Sequence, residues 1–153
     1  MSRAEKAKEL FKQGYACSQA VALAFADILG VDEATISKLT LPFGGGLGRL
    51  RLTCGAVSGM AVVIGLLFSE AENSPENKKE VYALTQELCG KFQAQYGSLI
   101  CAELLAGMKV PVEVGGEAER RTPEYYRKRS CGEMVYFAVI ILEEYLQEKG
   151  IIV

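Results

Sequence analysis

Cysteine is the residue type with which this chain could do chemistry, because it contains five cysteines and no histidine. The absence of histidine removes the usual general base and the commonest zinc ligand, and it excludes hydrolases of the Ser–His or Cys–His type. A cysteine thiolate can attack a disulfide or bind a metal ion, whereas a protonated thiol does neither well. Function therefore depends on which of the five sulfurs lie where ionisation is favoured.

Four of the five cysteines lie at predicted helix starts: Cys17, Cys54, Cys101 and Cys131. Cys17 opens the second predicted helix. The other three follow predicted N-caps at Thr53, Ser98 and Ser130. The first turn of a helix presents unpaired N–H groups and the positive end of the helix dipole, and both favour thiolate over thiol. Cys89 differs, because it lies inside a predicted helix away from either end, and we assign it to the core.

Cys54 is the best candidate for an attacking thiolate. Small residues follow it, Gly55 and Ala56, which leave access to the sulfur, and the upstream Arg49 and Arg51 supply positive charge. We therefore expect its thiolate to form between about pH 6 and about pH 8, below the ordinary cysteine pKa of about 8.5. The alternative is that the small residues only permit close helix packing. No Cys-x-x-Cys pair exists, so the second thiol of any disulfide must come from another helix.

The same four cysteines could instead hold a metal, since four thiolates are a complete tetrahedral set for zinc or an iron–sulfur cluster. Such sites usually contain closely spaced ligand pairs, which this sequence lacks, although a helical bundle can bring distant ligands together. A tetrathiolate metal-binding protein is therefore the alternative to a possible thiol–disulfide oxidoreductase. The thiol–disulfide interpretation requires no cofactor.

A glycine-rich segment, Gly44–Gly48 followed by Arg49, leads towards a helix N-terminus, an arrangement that binds phosphate in other proteins. It lacks the Gly-Lys-Ser/Thr end of a Walker motif, and no strand precedes it. A third interpretation is thus a non-enzymatic helical module that binds a small anion or another protein. The simpler alternative is a tight loop packed near Cys54.

Two further groups of polar residues accompany the cysteines. Glu103 and Glu133 each follow a cysteine by two residues and could accept its proton, although a role at the helix start is simpler. Tyr125 and Tyr126 precede the only basic cluster, residues 127–129, and such a run is typical of a solvated helix face.

The hydrophobic pattern predicts a compact all-α bundle of six or seven helices that forms a single domain over residues 1–153. Apolar residues make up 50% of the 153, which is enough for one core, and no strand-like alternation of useful length occurs. The net charge of −2 argues against nucleic-acid backbone binding. The longest apolar run, residues 54–68, is shorter than the roughly 20 residues that cross a bilayer.

The odd number of cysteines and the charged N-terminal segment predict a cytoplasmic protein with free thiols. The sequence does not identify a redox partner, and it is compatible with a homo-oligomer.

Several segments together resemble the redox-active protein family named for its C_GCAxxG_C_C cysteine pattern. They are Gly14–Ala20, Phe43–Gly46, Cys54–Gly59, Cys101 with Glu103–Leu105, and Cys131. The resemblance extends from the second predicted helix to the last. It implies that Cys17, Cys54, Cys101 and Cys131 are the signature residues, that Cys89 lies outside the pattern, and that the four thiols have a redox role.

Overall fold

The computed structural model describes residues 1–153, and its regular structure is helical. The eight helices are α1 (Arg3–Lys12), α2 (Cys17–Leu23), α3 (Glu33–Thr40), α4 (Gly55–Phe68), α5 (Pro75–Tyr96), α6 (Cys101–Gly107), α7 (Pro123–Lys128) and α8 (Cys131–Glu148). The predicted all-α class is confirmed, and the structure has eight helices where six or seven were predicted. Arg129 and Ser130 separate α7 from α8. No helix combines the length and the apolar character needed to span a membrane.

Local signals explain where several helices begin and end. Ser2 and Glu5 form a reciprocal capping box at the start of α1. The Ser74 side chain accepts a hydrogen bond at the start of α5, where Pro75 occupies the first turn. Gly97 ends α5 in the left-handed conformation, with φ of +84°.

Two of the cysteine-bearing helices begin differently from the prediction. The N-cap of α4 is Cys54 itself rather than Thr53, and the N-cap of α6 is Ile100 rather than Ser98. Thr53 instead pairs with Ile100 in an isolated antiparallel bridge. Ser98 accepts a hydrogen bond from the Ile100 N–H and donates one to the Glu103 carboxylate (2.7 Å).

Helix α2 lies at the centre of the core, where residues 18–25 are all buried. It approaches α4 closely because the facing residues of α4 are glycines. A Cβ built on Gly59 would lie 2.9 Å from the Ser18 carbonyl oxygen, and one built on Gly55 would lie 3.2 Å from the Cys17 Cβ. Close packing of the small α4 face is therefore confirmed, and it brings Cys17 next to the start of α4.

The glycine-rich segment between α3 and α4 is a tight loop that begins with a 3-10 turn, Leu41–Phe43. Gly45 and Gly46 adopt φ of +67° and +72°, a region that other residues rarely occupy. A Cβ on Gly46 would lie 2.6 Å from the Cys101 Cβ, so the loop packs directly against the start of α6. Only glycine permits that approach.

Replacing Gly46 with Ala should destabilise the protein more than replacing Gly97 with Ala. Both glycines have positive φ, which costs other residues about 1–2 kcal/mol. At Gly46 the new methyl group would also meet the Leu52 backbone nitrogen at 2.7 Å, whereas nothing lies within 4 Å of the corresponding position at Gly97. The free energy of unfolding from urea titration measures the difference, and equal losses in the two variants would contradict the packing of this loop.

Candidate functional site

A cavity of about 330 Å³ lies where the starts of four helices meet. All four signature cysteines line it: Cys17, Cys54, Cys101 and Cys131. Cys89 does not line the cavity; it is half-buried on α5 and packs against the hydrophobic core. We refer to this space as the thiol cavity. All five cysteines are free thiols.

Backbone contacts hold the starts of α4 and α6 together. The Cys54 N–H donates to the Leu99 carbonyl (2.8 Å), and the Cys101 N–H donates to the Leu52 carbonyl (2.6 Å). These bonds flank the bridge between Thr53 and Ile100 and satisfy amide groups that a helix start would leave unpaired. Cys54 and Cys101 consequently enter the thiol cavity side by side from two adjacent segments.

The start of α8 reaches the cavity because α8 packs along α1. A Cβ on Gly132 would touch the Phe11 ring at 3.6 Å, and Glu133 forms an ion pair with Lys8. Ser130 precedes α8 as predicted, but its side chain makes no capping hydrogen bond. Cys131 therefore occupies the first position of a long helix that the α1 contact holds in place.

Cys17 and Cys131 both line the thiol cavity, and each influences the pKa of the other. A hydrogen bond from the Cys17 thiol lowers the pKa of Cys131, and the positive charges of Arg129, Arg121 and Arg51 lower it further. The same shared proton raises the pKa of Cys17 well above its ordinary value, with burial adding to the effect. Within the pair, Cys131 therefore ionises before Cys17.

The expectation that Cys54 is the readily ionised thiol is wrong. Burial raises the pKa of Cys54 to about 12, although the N–H groups of Ala56 and Val57 act in the opposite direction. The residue is only 7% exposed, so the small neighbours pack closely and do not open access to its sulfur. No arginine contributes to the Cys54 pKa, because Arg51 extends to Cys101.

Cys101 is the thiol that Arg51 approaches, with its Nη1 3.8 Å from the Cys101 Sγ. Burial nevertheless raises the pKa of Cys101, and this effect outweighs the hydrogen bond and the charge of Arg51. Cys101 is less buried than Cys54, so it lies nearer to the cavity opening. Both remain thiols at neutral pH.

A group of arginines surrounds the single carboxylate that lines the cavity. Glu119 lies 3.7 Å from a guanidinium nitrogen of Arg49 and 3.5 Å from one of Arg51, and it accepts a hydrogen bond from Arg129. Glu119 belongs to the long irregular segment between α6 and α7. The same segment holds Arg49 through the Gly115 carbonyl, which accepts from Arg49 Nε at 2.9 Å. Charge and hydrogen bonding thus fix a segment that has no secondary structure.

Arg121 enters the cavity from the other side without a carboxylate partner. Its guanidinium lies 4.4 Å from the centre of the Phe11 ring and 5.0 Å from that of Tyr125. It also donates to the carbonyls of Phe11 (3.0 Å) and Tyr15 (3.2 Å). Aromatic faces and carbonyl oxygens therefore hold this cation in position and leave its charge uncompensated.

The basic cluster of residues 127–129 is only partly the solvated face that the sequence predicts. Arg127 and Lys128 are exposed, but Arg129 points inward and stacks 4.6 Å from the centre of the Tyr125 ring. Burial raises the pKa of Tyr125 to about 12. Helical spacing does not signal this contact, because Arg129 follows the last residue of α7 and has an extended backbone, with φ of −121°.

Other sequence-based candidates contribute less to the thiol cavity. Glu103 and Glu133 do not line it, so neither accepts a proton from a cavity thiol. The glycine loop lines the cavity, but the amides of Gly48, Arg49 and Arg51 donate to carbonyls of the loop itself. These three amides are therefore not available to bind a phosphate.

The side chains do not form a ready metal site, because no group of three or more Cys, Asp or Glu residues is arranged to hold a metal ion. The zinc or iron–sulfur alternative, with Cys17, Cys54, Cys101 and Cys131 as ligands, thus has no preformed ligand geometry.

Comparison with known proteins supports the resemblance inferred from the cysteine pattern. Residues 15–145 match the model of the family described as "Putative redox-active protein (C_GCAxxG_C_C)". No curated protein and no solved structure matches the chain. The matched range contains all four cysteines of the thiol cavity and covers most of the chain. The protein therefore belongs to the C_GCAxxG_C_C redox-active protein family.

Proposed function

We propose that Cys17 and Cys131 form a dithiol that exchanges with an external disulfide, with Cys131 as the attacking thiolate and Cys17 as the resolving thiol. The observation that carries this proposal is that Cys17 and Cys131 line one cavity together with arginines whose charges favour a thiolate on Cys131. Both residues line the thiol cavity, through which a small disulfide would approach them. The redox role of the family agrees with this assignment.

The reaction begins when the Cys131 thiolate attacks one sulfur of the external disulfide. A mixed disulfide with Cys131 forms, the external sulfur–sulfur bond breaks, and its second half leaves as a thiolate. That thiolate takes the proton of Cys17. The Cys17 thiolate then attacks the Cys131 sulfur, forms the Cys17–Cys131 disulfide and releases the first half. The protein dithiol loses two electrons, and the external disulfide gains them as one thiol, which carries the Cys17 proton, and one thiolate, which takes a proton from water.

The positions of the arginines suit this sequence of steps. Arg121 and Arg129 stabilise the negative charge on Cys131 before attack and on the departing thiolate afterwards. Because its pKa is raised, Cys17 stays protonated until the thiolate released in the first step takes its proton. Closing the disulfide requires the two sulfurs to approach each other until they form a bond of about 2.05 Å.

Cys101 and Cys54 have a secondary role in this proposal. Burial keeps both protonated at neutral pH, so neither competes with Cys131 for the first attack. Substituting either with Ser should therefore leave formation of the Cys17–Cys131 disulfide intact.

Reaction of the reduced protein with hydroxyethyl disulfide tests the assignment of roles. We expect Cys17→Ser to accumulate a mixed disulfide at Cys131, because the resolving thiol is missing. Cys131→Ser should react far more slowly, because the remaining thiols of the cavity are protonated. Intact-mass measurement followed by peptide mapping identifies each product.

Cys89→Ser is the matched control, since Cys89 lies outside the cavity and should not change either outcome. A mixed disulfide that forms first at Cys54 or Cys89 would contradict the proposal. A second result would also contradict the proposal: anaerobically purified protein that contains stoichiometric zinc or an iron–sulfur cluster, and that loses it when any one of the four cavity cysteines is substituted. That result would assign all four cysteines as ligands.

Arg129→Gln should slow alkylation of Cys131 by iodoacetamide at neutral pH. Loss of the guanidinium charge raises the pKa of Cys131 and therefore lowers its thiolate fraction at neutral pH. The difference should disappear near about pH 10, where an ordinary cysteine is already ionised. Arg127→Gln is the control, because Arg127 is exposed and lies only two residues before Arg129. Equal rates for both variants at all pH values would contradict the role of Arg129.

A further inference from the structure

The thiol cavity contains more positive than negative charge. Glu119 is the only carboxylate among the residues that line it. Four arginines line it: Arg49, Arg51, Arg121 and Arg129. Glu113 also reaches Arg49, at 3.8 Å, but its side chain is 73% exposed, so solvent weakens that pair. Even with a thiolate on Cys131, the cations of the wall remain in excess.

Burial makes this excess significant. The side chains of Arg49, Arg51 and Arg129 are only 12%, 7% and 8% exposed. A buried cation without a full counter-charge is unfavourable, and it attracts an anion from solution. The cavity therefore favours anionic occupants.

Arg49 has donors that the protein does not use. Its Nε donates to the Gly115 carbonyl, which fixes the orientation of the guanidinium. Its two terminal nitrogens lie 3.7 Å and 3.8 Å from the nearest carboxylate oxygens, of Glu119 and Glu113, beyond hydrogen-bond distance. A guanidinium held in this way can pair with a carboxylate of an incoming molecule.

The backbone that carries these arginines is strained. Arg49 and Arg51 adopt φ of +68° and +61°, which non-glycine residues rarely do. Strain of this kind concentrates at functional sites, where the surrounding structure holds it in place. Here the Arg51 N–H bonds to the Gly45 carbonyl (3.1 Å), and the Arg49 carbonyl accepts from the Gly115 N–H (2.8 Å).

We propose that the thiol cavity selects a small disulfide that carries a carboxylate, which Arg49 and Arg121 hold while Cys131 attacks the sulfur. This inference rests on the proposed function and adds the substrate class. A cavity of about 330 Å³ equals about eleven water volumes, which suits a small molecule better than a folded chain. The exchange is the one described above, with two electrons passing from the protein dithiol to the anionic disulfide.

Two aliphatic disulfides of similar size test this selectivity: dithiodiglycolate, which has two carboxylates, and hydroxyethyl disulfide, which has no charge. The quantity of interest is the ratio of their rates at Cys131, because the ratio cancels any change in the reactivity of the thiolate itself. Arg49→Gln is the informative variant, since Arg129, Arg121 and Arg51, rather than Arg49, lower the pKa of Cys131. Arg127→Gln is again the exposed control.

We expect Arg49→Gln to lower the rate ratio by about tenfold, the factor that corresponds to one charged hydrogen bond, and Arg127→Gln to leave it unchanged. In the unsubstituted protein, sulfate should slow the reaction with dithiodiglycolate more than chloride does at equal ionic strength. This second measurement does not depend on how the variant folds. The rate of the reaction with hydroxyethyl disulfide should be the same in the two salts.

An unchanged ratio in Arg49→Gln together with no specific effect of sulfate would overturn the anion preference and leave the dithiol assignment standing. Failure of both disulfides to react at Cys131 would overturn the proposed function, and the substrate class with it. The two failures are therefore distinguishable from one set of rates.

Discussion

The burial of arginine side chains around one carboxylate is the interaction on which the rest of the site depends. Arg49, Arg51 and Arg129 come from two distant parts of the chain, and Glu119 is the acid they share. Removing one partner from such a cluster leaves a buried charge unpaired, which typically costs about 3–5 kcal/mol. The cluster thus holds the glycine loop against the irregular segment before α7, and it places cations in the wall of the thiol cavity.

The arginines that line the thiol cavity explain why two cysteines at helix starts have different pKa values. Cys54 and Cys131 both lie at helix starts, yet burial dominates at the first and stabilisation of negative charge dominates at the second. The helix dipole contributes only about 0.3–1 kcal/mol at an exposed end, which is too little to reverse a large burial effect. A partner thiol and nearby arginines make the difference at Cys131. A helix start favours a thiolate only where the surroundings do so as well.

Local residue patterns were sufficient to predict the helical class, the cysteine positions at helix starts and the separate place of Cys89. They could not predict which thiol ionises, because Cys17 and Cys131 meet through packing of helices far apart in sequence. The assignment of Arg51 to the Cys54 thiol was also wrong. Arg51 lies near Cys54 in the chain, but its left-handed backbone directs the side chain to Cys101. Arg129 was assigned to a solvated surface because nothing in the sequence indicates that Tyr125 covers it.

The order in which the five thiols ionise tests the central claim most directly. Isotope-labelled cysteine Cβ signals, assigned by single substitutions and followed by NMR during a pH titration of the reduced protein, report each thiol separately. We expect Cys131 to ionise first, below the ordinary cysteine pKa of about 8.5, and Cys54 to ionise close to the end of the series, with a pKa of about 12. Ionisation of Cys54 or Cys101 before Cys131 would contradict a thiolate held by Cys17 and the arginines.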